Sequence, residues 1–234
     1  MTFVIPPAAQ PSVEVAGTDA RFPVHRIYCV GRNYAAHARE MGMDPDRDPP
    51  FFFSKPADAV VANGTPVPYP PRTANLHHEI ELVVAIGKGG RDIPLASALD
   101  HVYGYACGLD MTRRDLQAVA KEQRRPWDLG KDFEQAAVLS EIVPAADVAP
   151  PGAGRIELRV NGTVRQSSDL SLLIHPVPAV IAHLSRYYTL QPGDLIYTGT
   201  PEGVGPVVAG DVLEGSIEGV GTISLKVGQM GSEL

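Results

Sequence analysis

Cysteine is scarce. Cys29 and Cys107 are the only two in 234 residues, and each lies inside an apolar run. No Cys-x-x-Cys pair occurs, so a thiolate zinc site or a dithiol redox motif is excluded, and two buried free thiols in a reducing compartment are expected. Positive charge is also in deficit. Twenty Lys and Arg stand against 27 Asp and Glu, a formal net charge of −7 with a pI near 5.5. That balance argues against a nucleic-acid or anionic-membrane partner. No apolar run reaches the roughly 20 residues that a membrane span needs. The opening "MTFVIPPAAQPSVEV" has no basic start and no long apolar core, so no signal peptide is read there. A cytoplasmic protein is the expectation. Internal repeats and low-complexity tracts are lacking too, and no composition shift marks a domain boundary.

What is abundant is glycine and proline, 23 and 22 residues, beside an ordinary 44% hydrophobic and 20% charged content. That mixture favours many turns and short strands over a helical bundle. Residues 1–24 are Pro-rich and are read as a short N-terminal arm, and residues 25–234 as a single β-rich α+β domain. "RIYCVG" (26–31) and "FFFSKP" are strand candidates. Between them "NYAAHAREMG" (33–42) reads as a short helix, opened by Asn33 as N-cap and closed by Gly42. "IPLASALDHV" is expected as a short helix and "YGYACGLDM" (103–111) as a strand. A helix over 112–123 follows, with Thr112 and Asp115 at capping-box spacing. Asn161-Gly162 within "IELRVNGTVRQ" predicts a hairpin. "PVPAVIAHLSRYYTL" predicts an amphipathic helix, and the Gly-punctuated segment from 192 to 227 several short strands.

Chemistry concentrates in "NLHHEIEL" (75–82). Strand alternation puts Glu79 and Glu81 on one face, with Cα atoms roughly 6.5 Å apart. Asp110 ends the following apolar strand. Three converging carboxylates would repel and push at least one pKa up. A hard cation such as Mg²⁺, which takes carboxylate oxygens and keeps waters for substrate, removes that conflict. The plain alternative is a solvent-exposed acidic face. The zinc motif His-Glu-x-x-His fails because residue 82 is Leu. A second set is His37 and Glu40, three apart on the expected helix, where a carboxylate can orient an imidazole to act as a general base on water. A surface ion pair is the plain alternative. The third set is cationic: Arg114, Gln117 and Lys121 share one helix face, with Lys131 and Lys55 elsewhere. These could hold an anionic substrate, or simply form a solvated face. "TGTPEGVG" (198–205) lacks the Lys-Ser/Thr of a phosphate loop and suits a tight turn that brings Thr198 or Thr200 near a ligand.

In order along the chain, "GRNYAAHARE", "FFFSKP", "NLHHEIEL", "GYACGLDMTRRDLQ", "RPWDLGKDF" and "GDLIYTGTPEGVGP" resemble the fumarylacetoacetate hydrolase family, over roughly residues 26–227. Within it the likeness is greatest to enzymes that cleave fumarylpyruvate and other acylpyruvates. The resemblance implies a mixed β-roll fold with a few short helices, a bound Mg²⁺ or Mn²⁺, and a homodimer. It implies metal ligands at Glu79, Glu81 and Asp110. His37 and Glu40 become the water-activating pair on a helix that lids the substrate. Lys131 and Gln117 become stabilisers of developing negative charge, and Arg114 and Thr200 contacts of the keto-acid end. The implied reaction is hydrolysis of the C–C bond of a small anionic 2,4-diketo acid, fumarylpyruvate giving fumarate and pyruvate. Oxaloacetate decarboxylation by the same metal chemistry is the rival activity, and a non-catalytic metal- or metabolite-binding protein the rival class. His175 stands where relatives carry an apolar residue, and the sequence offers no reason for it.

Overall fold

The computed structural model describes residues 2–35 and 49–230. Its elements in order are β1 (Ser12–Glu14), β2 (Arg21–Pro23), β3 (Arg26–Gly31), β4 (Phe51–Lys55), β5 (Val60–Ala62), β6 (Val67–Pro68), β7 (Leu76–His78), β8 (Ile80–Ile86), β9 (Val102–Asp110) and β10 (Thr112–Arg113). Two helices follow, α1 (Arg114–Glu122) and α2 (Asp128–Lys131). The rest comprises β11 (Ala137–Leu139), β12 (Val143–Pro144), β13 (Arg155–Val160), β14 (Thr163–Asp169), α3 (Val177–Leu184), β15 (Asp194–Tyr197), β16 (Gly205–Val207), β17 (Val212–Ile217) and β18 (Gly221–Gly228). Three short 3₁₀ turns intervene, one of them Leu95–His101.

The largest sheet is mixed and runs β4-β3-β15-β8-β9-β11-β5, with β12 pairing β9 at its edge. A five-stranded sheet, β14-β13-β17-β18-β6, packs against it, and β10-β7-β16 forms a small third sheet. This is the β-rich α+β class expected. The hairpin β13–β14 turns at Asn161 and Gly162, both at positive φ (50° and 76°), as a two-residue primed turn requires.

Period-two alternation explains how β8 works. Ile80, Leu82, Val84 and Ile86 enter the main core with Leu158, Leu213, Ile223 and Leu225. Val83 and Ala85 enter a second core with Ile27, Cys29, Ala106 and Tyr197. Both faces of β8 are therefore buried, and every residue from 80 to 86 is inaccessible. Glu79 and Glu81 fall on the Val83 side, at the strand's start. They lie inside the molecule and not on a solvated acidic face. Residues 12–24 also contribute to the second core, through Val13, Val15, Phe22 and Val24.

The helix expected over residues 33–42 lies outside the described residues from 36 onward, and among the described residues Asn33 anchors distant backbone. Its Nδ2 donates to the carbonyls of His175 (2.9 Å) and Thr198 (2.8 Å), and its Oδ1 accepts from His175 N–H (2.7 Å). Residues 112–113 pair as strand with His77 and Leu76, so α1 begins at Arg114 and no side chain caps it. Asp115 binds Thr73 Oγ1 (2.6 Å) and Ala74 N–H (3.0 Å). At this helix start long-range partners outcompete the expected Thr112–Asp115 box, since a short polar side chain satisfies any nearby orphan group equally well.

Candidate metal centre and pocket

Sheet register brings the three acids together. Glu81 lies opposite Gly108 across the β8–β9 pair, and the Asp110 amide donates to the Glu79 carbonyl (2.9 Å). One carboxylate oxygen from each of Glu79, Glu81 and Asp110 falls within 4.8 Å of the others, and all three residues are buried. Gly108 is needed there because a β-carbon would meet Val83 at 2.5 Å and Tyr197 at 2.7 Å.

Cations frame the acids unevenly. Lys131 Nζ donates to Glu79 Oε2 (2.7 Å), Asp110 Oδ2 (2.7 Å) and Thr112 Oγ1 (2.6 Å), which uses all three of its N–H bonds. Lys55 Nζ lies 2.8 Å from Asp110 Oδ1 as an ion pair and donates to the carbonyls of Met111 (3.0 Å) and Lys131 (2.6 Å). Arg114 forms an ion pair with Glu79 and donates to Gln117 Oε1 (2.6 Å) and His77 Nδ1 (3.3 Å). Glu81 has no such partner among the described residues. Its Oε2 accepts only the Gly199 N–H (2.6 Å), where Gly199 adopts φ +101° and a β-carbon would strike Asn33 at 2.6 Å.

The protonation tendencies follow. Burial resists ionisation of Glu79, but the Lys131 and Arg114 charges outweigh it and hold the carboxyl well below its usual range. Burial pushes Glu81 well up, and the nearby Asp110 and Glu79 carboxylates add to it. Lys131 is desolvated, yet Asp110 and Glu79 keep it protonated beyond its ordinary value. Burial and the Arg114 charge push His77 down to about 4, so it stays neutral beside Arg114.

A buried carboxylate that lacks a cation, grouped with two others at ligating distance, fits an oxygen-seeking divalent ion. Glu79, Glu81 and Asp110 are the residues that would hold it.

The surrounding pocket is lined by Arg32, Phe53, Arg114, Gln117, Lys121 and Lys131 together with Glu79, Glu81, Trp127 and Thr200. Helix α1 supplies Arg114, Gln117 and Lys121 from one face. Helix α2 brings Lys131 in from the side, and its Gly130 packs so close that a β-carbon there would sit 2.9–3.1 Å from Gln117. Seven of the nine expected site residues (Glu79, Glu81, Asp110, Lys131, Gln117, Arg114 and Thr200) thus converge; His37 and Glu40 lie outside the described residues. Thr200 reaches the wall, but its hydroxyl donates to the Ile80 carbonyl (2.8 Å) and accepts from Gln166 Nε2 (2.8 Å). Its single O–H donor is therefore spent, and the hydroxyl has only an acceptor lone pair left for a ligand.

Lys55, expected among the cations that could hold an anionic substrate, is instead fully buried and paired with Asp110, and a lysine ending a strand of three aromatics signals such a buried, paired charge. Gln166, on β14, accepts from Ile80 N–H (3.1 Å), contacts His78 Nδ1 (3.0 Å) and donates to Thr200 and the Pro201 carbonyl (2.9 Å), tying β8 to the 198–201 turn. Nothing local in its sequence marked it. The His175 backbone holds Asn33, which gives that position a structural use independent of its imidazole.

A curled, β-rich fold that buries three acids between lysines defines a metal-dependent enzyme class. The chain matches the fumarylacetoacetate (FAA) hydrolase C-terminal family over residues 26–228 and belongs to that family. It is 55% identical over 186 residues to a fumarylpyruvate hydrolase of a Ralstonia species, covering 80% of this chain and 96% of that one. A mitochondrial oxaloacetate tautomerase of Mus musculus is 45% identical over 201 residues, 86% of this chain and 90% of the relative. Among solved structures, fumarylpyruvate hydrolase of Pseudomonas aeruginosa in complex with Mn²⁺ and pyruvate superposes with a TM-score of 0.95 at 53% identity, covering 97% of this chain and all of that one.

Proposed function

We propose that this protein is a metal-dependent hydrolase that cleaves the C3–C4 bond of a 2,4-diketo acid, with fumarylpyruvate giving fumarate and pyruvate. The observation that carries the reading is the buried Glu79–Glu81–Asp110 group framed by Lys55, Arg114 and Lys131. The 55% identity to a fumarylpyruvate hydrolase and the relative that binds Mn²⁺ and pyruvate support it. Mg²⁺ or Mn²⁺ is the proposed ion. Bound by the three acids, it supplies Lewis-acid stabilisation of the negative charge that the cleavage leaves on the pyruvoyl side.

The chain's own residues then divide the work. His37, oriented by Glu40, takes a proton from water, and the hydroxide adds to the C4 carbonyl. Gln117, whose carbonyl is occupied by Arg114, keeps its N–H donors for the oxyanion. A positioned donor is typically worth about 3 kcal/mol. Lys131 has its three N–H bonds committed to protein, so its help to the oxyanion is electrostatic. Arg114 retains two N–H donors for the keto-acid carboxylate. Collapse of the adduct breaks C3–C4, and a proton returns to C3 to complete pyruvate. Assembly as a homodimer, taken from the family resemblance, belongs to the same proposal and is open to sedimentation against the 25.0 kDa chain mass.

The test is the purified protein with Mg²⁺ and fumarylpyruvate, following loss of the enol chromophore. EDTA-sensitive loss with equimolar fumarate and pyruvate is the expected result. Turnover of oxaloacetate alone would move the assignment to the activity of the tautomerase-like relatives.

A further inference from the structure

Helix α1 carries one pocket cation that the hydrolytic scheme leaves unused. Lys121 stands seven residues after Arg114 and four after Gln117, on the same face, and lines the same pocket. Arg114 is held by Glu79, and Lys131 by Glu79 and Asp110. Lys121 has no carboxylate partner among the described residues. Its Nζ instead lies 4.9 Å over the Trp127 ring. Trp127 stands beside Phe53, with ring centroids 5.8 Å apart, and both rings line the pocket.

Charge accounting singles the residue out. Among the described residues the site holds Lys55, Arg114, Lys121 and Lys131 against the three carboxylates Glu79, Glu81 and Asp110, and each of these cations but Lys121 has one of those carboxylates as its ion-pair partner. A bound divalent ion widens the surplus. A substrate with one carboxylate has it anchored at the keto-acid end and nothing left to meet Lys121. A second anionic group is what the surplus calls for. Half-buried and beside Arg114 and Arg32, Lys121 is pushed down to about 8, by burial first and by those two charges next, so its ammonium gains from any anion brought against it.

We propose that Lys121 is the specificity-determining residue that receives a carboxylate at the far end of the acyl arm, while the flat arm lies along the Phe53–Trp127 wall. The proposal rests on the hydrolase reading above and sharpens it: the preferred acyl group is a planar, unsaturated chain ending in a carboxylate, not a short neutral acyl group. The plain reading is a lysine that snorkels its stem over an aromatic and points its charge to water.

Lys121→Met separates the two readings. Truncating one partner of a desolvated charge pair costs at least ~30-fold. The ratio of kcat/KM for fumarylpyruvate to that for acetylpyruvate is therefore expected to fall by at least ~30-fold, mainly through KM, and Lys121→Arg is expected to retain most of it. Binding supplies an independent readout. By calorimetry the wild-type protein should prefer fumarate to trans-crotonate, which has a methyl group in place of one carboxylate, and Lys121→Met should lose that preference while binding pyruvate as before. An unchanged ratio, or an equal fall for both acylpyruvates, would overturn the assignment. If the wild-type protein cleaves neither substrate and binds no pyruvate, the hydrolase reading is what fails. The fumarate-to-crotonate comparison still decides whether Lys121 receives a carboxylate.

Discussion

Glu81 is the residue on which the site turns. Glu79 and Asp110 are neutralised by Lys131, Arg114 and Lys55, but Glu81 is buried beside two like charges with a single backbone N–H for support. Such a carboxylate destabilises the metal-free fold and is relieved by a divalent ion, so one side chain trades stability for metal affinity. Glu81→Gln keeps the volume and removes the charge. Its metal-free melting temperature should equal or exceed that of the wild type. The wild type should also gain about 2.7 kcal/mol at a metal concentration 100 times Kd. At roughly 2–4 °C per kcal/mol for a chain of this size, that is a rise of about 5–10 °C. The variant should lose most of this gain, which calorimetry with and without Mn²⁺ measures; an undiminished rise would remove Glu81 from the ligand set. The acid pair was legible in "NLHHEIEL" because strand alternation is a local rule. The buried partners of Lys55 and the role of Gln166 were not, because those partners lie 56 and 88 residues away.

At the scale of elements, the short helix α2 matters more than its four residues suggest. It carries Lys131 to the acids while Gly130 lets it sit against the Gln117 backbone. Gly130→Ala must push α2 away from α1, since the contacts it would meet are main-chain N and Cα at 3.0–3.1 Å. Overpacking of this kind costs typically about 1–3 kcal/mol. Displacement of catalytic groups by about 1 Å costs on the order of 100-fold. We expect kcat to fall at least ~10-fold in a protein that still folds, as circular dichroism and steady-state rates would report together. Wild-type kcat in a folded variant would mean that the α1–α2 spacing does not position Lys131 and Gln117. Among the described residues, strand and helix positions from "RIYCVG" to "GDLIYTGTP" were largely legible, since each rests on local periodicity. The cap expected at Thr112 failed because a tertiary partner, Lys131, claimed its hydroxyl. The Asn33 carboxamide bridges positions 142 and 165 residues away, a distance over which sequence pattern carries no signal.

The whole molecule is acidic, yet its pocket is cationic. A formal net charge of −7 surrounds a site where, among the described residues, Lys55, Arg114, Lys121 and Lys131 outnumber Glu79, Glu81 and Asp110. Focusing of field into such a cleft favours small anions over polyanions, because nucleic acid or an anionic surface meets the repulsive exterior first. The fold supports this by burying β8 on both faces, so that the acids and their lysines sit where water is displaced and charges interact strongly. No helix among the described residues is long and apolar enough to cross a membrane.

Hydrolysis takes the new bond at C4 from water, where decarboxylation would not, and turnover of fumarylpyruvate in ¹⁸O-labelled water distinguishes the two. Attack at C4 places one solvent oxygen in the carboxylate formed at the cut, so mass spectrometry should find one ¹⁸O per fumarate produced. Release of CO₂, or fumarate formed without label, would contradict hydrolysis at C4.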